Sequence, residues 1–91
     1  MQPLPQVSYF LAMSYVKQKS WADAASVADT ALQNEMDDVT TKAALYYIKS
    51  GANMEQNKLD DAIAAAEKAV ELVPNDEQYM THLERLKNAK G

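Results

Sequence analysis

Apolar and small side chains recur along this chain three and four positions apart, the spacing that gathers them on one side of an α-helix. The clearest stripe is Trp21, Ala24, Ala25, Ala28, Ala31 and Leu32. It returns 38 positions later as Leu59, Ala62, Ile63, Ala66, Ala69 and Val70, while the residues between vary freely. Self-similarity at a period of a few tens of residues is the mark of stacked helical units. The pattern therefore predicts an all-α domain built from repeated helix pairs.

Five helices are expected. The first covers Pro5 to about Gln18, with proline at an early position where its missing N–H is not needed. Its apolar face is read as Val7, Phe10, Leu11, Ser14 and Tyr15. Ser20 is the expected cap of the second helix, which runs to about Asn34. The acidic corner Glu35, Asp37 and Asp38 follows, and Asp37 or Asp38 can cap the third helix, Val39 to Gln56. That helix gathers Ala44, Tyr47, Ile48, Gly51 and Ala52 on its apolar side, leaving Lys49, Ser50, Asn53 and Gln56 to point away. Gly51 is expected to allow close helix contact. A shift of 37 best matches the first helix to the third, pairing Leu11 with Ile48; a shift of 39 is the alternative. The fourth helix begins near Asn57 or Lys58 and ends before Pro74, which disfavours helical geometry at Val73. Asn75 is the expected cap of the fifth, a helix with Tyr79, Met80, Leu83 and Leu86 on one stripe. Its acidic start and basic end suit the helix dipole.

Composition and charge narrow the function. Ninety-one residues make one small domain, and 47% are hydrophobic, which is enough for a core. The net charge of −4 and the scattered lysines and arginines give no basic stripe for nucleic acid. No apolar run approaches the roughly 20 residues that cross a bilayer. Without cysteine, disulfide and thiolate chemistry are excluded.

The spacing resembles the tetratricopeptide repeat, a family of antiparallel helix pairs. The first copy supplies Ser8, Leu11, Ala12, Tyr15, Ala24, Ala28 and Ala31, with Met36 where proline is expected; the second supplies Ala62, Ala66, Ala69 and Pro74. The unit here is about four residues longer than the family's, and the first helix of copy two matches it poorly. The resemblance implies repeat one over about 5–38, repeat two over about 39–76 and a capping helix over about 76–90. The alanines would let helix axes approach, with Leu11, Tyr15, Trp21 and Ile48 filling the space between them.

The same resemblance implies a groove lined by the first helix of each pair, holding a peptide or a helix of a protein partner. Carried over by position, its residues are Tyr9, Met13, Val16 and Lys17, with Tyr46, Ser50 and Asn53 from the second copy. Tyr9 and Met13 stand where members that grip acidic chaperone tails place basic and amide side chains, so a more apolar ligand is expected. Self-association, or membership in a longer helical array, is the rival use of this surface. No enzyme chemistry or cofactor is expected: the single histidine, His82, reads as a solvated flank residue, and the acidic pairs read as helix starts rather than metal sites.

Overall fold

The computed structural model describes residues 4–34 and 37–91, and over these it is all-helical, with no strand. Glu35 and Met36 lie outside the described residues. In order, the helices are α1 (Pro5–Lys17), α2 (Trp21–Leu32), α3 (Val39–Glu55), α4 (Leu59–Leu72) and α5 (Glu77–Lys90). Each packs on the next, and α1 also lies beside α3.

Two tight turns set this arrangement. At the end of α1, Lys19 adopts φ 60°; at the end of α3, Asn57 adopts φ 62°. Ser20 N–H donates to the Tyr15 carbonyl at 2.8 Å and Lys19 N–H to that of Val16 at 3.0 Å. Lys58 N–H repeats the first bond to Asn53 at 2.9 Å, and Asn57 N–H the second to Met54 at 3.0 Å. This crossed pair of bonds is the Schellman ending, which satisfies the last carbonyls of a helix and reverses the chain within three residues. Asparagine tolerates the left-handed conformation; lysine does so at a cost. The helix starts after the longer connections also match. Asp38 caps α3 by accepting from Thr41 N–H at 3.2 Å, and Asp76 caps α5 by accepting from Tyr79 N–H at 3.1 Å. All these pairs are 38 residues apart, so the register of α3 on α1 is 38, between the two shifts read from the stripes.

Several local expectations change. Ser20 precedes α2, but its side chain makes no capping bond. Asp76, not Asn75, is the cap of α5. Val7, Phe10 and Leu11 are exposed, while Ser8 and Ala12 of α1 are buried. The expected apolar side of α3 is likewise turned: Ser50 is fully buried and Asn53 nearly so. Periodicity located the helices but not their rotation, because α1 and α3 carry apolar residues on more than one side.

Small side chains dominate the interior. Ala24 and Ala28 of α2, Ala62 and Ala69 of α4, and Ala12 and Ala43 are fully buried. Leu45 and Leu86 are the two largest apolar side chains that are fully enclosed. Trp21 and Tyr15 are half-buried and pack against the cluster formed by Ala12, Ala24, Ala25, Ile48 and Ala52. Gly51 has open space where a Cβ would stand, so it does not mediate a close contact. Replacing a helix-interior glycine with alanine removes its conformational penalty. Gly51→Ala is therefore expected to raise the unfolding free energy by about 0.5–1 kcal/mol, read from urea denaturation; a lower stability would show that the site is sterically closed.

Candidate functional site

The first helix of each hairpin and the final helix together border a cleft of about 430 Å³. Tyr9, Met13 and Val16 enter from α1. Ala44, Tyr47, Ile48, Gly51, Ala52, Met54 and Glu55 enter from α3, and Gln78, Tyr79 and His82 from α5, with Trp21 of α2 completing the lining. Three of the residues named from sequence thus come together here. Lys17 is exposed and is not part of the lining. Tyr46 and Asn53 border a different, polar cleft beside Lys49, Lys58, Asp61 and Lys68. Ser50 lies inside the protein.

One residue of register accounts for the difference. Tyr9, Met13, Val16 and Lys17 correspond at a shift of 38 to Tyr47, Gly51, Met54 and Glu55, all four in the cleft. A shift of 37 selects instead Tyr46, Ser50, Asn53 and Met54. One step along a helix rotates a side chain by about 100°, enough to move the first three out of the cleft. The 38-residue spacing of the second and fourth helices was the signal that could have found the right face.

Aromatic and polar contacts hold this wall together. The Tyr47 and Tyr79 rings lie 5.0 Å apart, and the Tyr47 and His82 rings meet in a T-shaped arrangement at 5.0 Å and 71°. Burial raises the Tyr79 phenol above its usual pKa, with Asp76 adding to the effect and Tyr9 and Tyr47 after it. Its hydroxyl stays neutral and able to donate. Glu55 is the acidic side chain at the cleft rim.

Behind the cleft, a short polar chain joins three helices. The Ser50 hydroxyl donates to the Ala62 carbonyl at 2.6 Å, and His82 Nε2 lies 2.8 Å from Ser50 Oγ. Because the serine proton is directed at Ala62, the histidine nitrogen must be the donor in the second bond. That assigns the neutral ring to the Nε2–H tautomer. His82 is therefore a half-buried interhelical tie, not the solvated flank expected. A serine beside a histidine is also the start of a nucleophile–base pair, but here the oxygen has no exposed surface and its proton is already engaged. The arrangement ties α3 to α4 and α5 and presents no nucleophile.

Charged pairs elsewhere reinforce the packing. Lys49 of α3 meets Asp29 of α2 at 2.6 Å, and Lys90 of α5 meets Asp60 of α4 at 2.6 Å. Both pairs are partly or largely exposed, where such contacts contribute little to stability. Among the described residues no three His, Cys, Asp or Glu side chains gather as metal ligands, and no helix is long and apolar enough to cross a membrane. The chain matches no model of a known protein family, and no curated protein matches it.

Two outcomes follow from the Ser50–His82 tie. Ser50→Ala strands the His82 N–H beside a methyl group and is expected to cost about 1–3 kcal/mol of stability in urea denaturation. The His82 pKa is lowered by burial first and by the Arg85 charge second, from a reference of 6.5. Between the folded pKa and 6.5 the unfolded chain binds more protons, so stability rises with pH across that window. The urea midpoint should fall as pH drops from 7.5 to 5.5, and His82→Gln should flatten that slope. An unchanged slope in the variant would place the titration elsewhere.

Proposed function

We propose that this chain is a tetratricopeptide-like interaction module that holds a peptide or partner helix in the cleft between α1, α3 and α5. The observation that carries the reading is the lining itself. Tyr9, Tyr47 and Tyr79 come from the alternate helices α1, α3 and α5, which all begin or end on one 38-residue register, and they share an open cleft with Met13 and Met54. Two hairpins closed by the same turn, followed by a helix with the same cap, support a stacked repeat architecture. Aromatic and methionine side chains suit adaptable apolar recognition.

Charge narrows the ligand. Among the described residues Glu55 is the acidic residue of the lining and no lysine or arginine borders the cleft, and the whole chain carries −4. An acidic peptide would meet repulsion, whereas a basic side chain could rest on the tyrosine faces and pair with Glu55. The ligand is an apolar segment bearing a lysine or arginine.

Selection from a random peptide library by the full chain tests this. Enriched sequences are expected to combine large apolar residues with a basic one. Glu55→Lys should weaken their binding roughly ten-fold, the scale of one lost favourable charge contact, and Met54→Glu should abolish it while the fold persists, since Met54 is exposed. Enrichment of acidic peptides, or binding indifferent to both substitutions, would exclude the cleft as the site.

A further inference from the structure

Away from the cleft, the outer side of α1 exposes Val7, Phe10 and Leu11 by 53%, 69% and 46%, with Leu4 at its start exposed by 67%. The 38-residue register shows what such a face meets elsewhere in the molecule. Val7 stands where α3 has Leu45 and α5 has Leu83; Phe10 stands where they have Ile48 and Leu86. Leu45 packs with Ala28 and Ala31 of α2, and Ile48 with Ala24 and Ala25. Leu86 packs with Ala62 and Ala66 of α4, with Leu83 against the same cluster. In both instances the cover is an alanine-lined helix, and α1 continues that interface outward. Among the described residues no helix lies on it.

Charge distinguishes the occupants. Lys49 of α3 pairs with Asp29 of α2, but its equivalent on α1 is Leu11. No charged side chain occurs between Pro5 and Val16. The cover of α1 must therefore be uncharged opposite Leu11. A second copy fits poorly: its α2 has Asp29 at that place and its α4 has Glu67, with both alanine seams already occupied by α3 and α5, and its α1 offers Phe10 and Leu11 where Leu45 and Ile48 are met by alanines. We propose that the outer face of α1 docks one alanine-lined amphipathic helix of another polypeptide. It lies on Val7 and Phe10 as α2 lies on Leu45 and Ile48, with an apolar residue over Leu11.

The probe is a synthetic helix of residues 20–34 carrying Asp29→Leu, stapled between positions 26 and 30, both of which are exposed in α2. It is titrated into the isotope-labelled full chain and followed by amide chemical shifts. Saturable shifts centred on Val7, Phe10, Leu11 and Ser14 are expected. The same peptide with Asp29 retained should bind roughly ten-fold more weakly, because its carboxylate would be desolvated without a partner. Phe10→Asp in the full chain should abolish binding with little change in melting temperature, as for surface substitutions generally. Three results would overturn the proposal. They are no saturable shift at millimolar peptide, shifts centred on Tyr47 and Tyr79 instead, or a dimer by sedimentation that Phe10→Asp splits.

Discussion

Close approach of helices through alanine is the constraint on which this structure rests. Among the described residues eleven of the fourteen buried apolar side chains are alanines, so each contact removes little surface from water. Such seams exclude large side chains from the helix crossings and place them at the margins. Trp21, Tyr9, Tyr47 and Tyr79 are accordingly half-buried rather than enclosed. The aromatic cleft is thus a consequence of how the core is packed.

A thin core gives directional contacts more influence. The Schellman turns at Lys19 and Asn57 and the aspartate caps at Asp38 and Asp76 set the helix ends at equal intervals. Ser50 and His82 then join α3, α4 and α5 through hydrogen bonds that satisfy otherwise buried polar atoms. Register and rotation are controlled by backbone chemistry at the ends and by one polar tie inside.

The two surfaces of α1 differ for the same reason. Its inner side contributes Tyr9, Met13 and Val16 to a cleft shared with α3, and their partial burial comes from that neighbour. Its outer side repeats the apolar spacing that α3 and α5 bury against alanine. The two proposed contacts use these sides differently: side-chain capture in the cleft and helix-on-helix packing outside.

Helix number, approximate helix limits, the 38-residue echo and the alanine character of α2 and α4 were all legible in the chain, because each depends on local spacing and propensity. The rotation of α1 and α3 was not. Tyr9 with Phe10, and Tyr46 with Tyr47, are adjacent apolar residues pointing about 100° apart, and periodicity cannot say which of each pair faces a neighbour. His82 looked peripheral for a related reason: its partner, Ser50, is 32 positions away and on another helix. Spacing along one segment specifies which side chains share a face. Which face is covered depends on the helix that arrives there, and only the tertiary packing decides it.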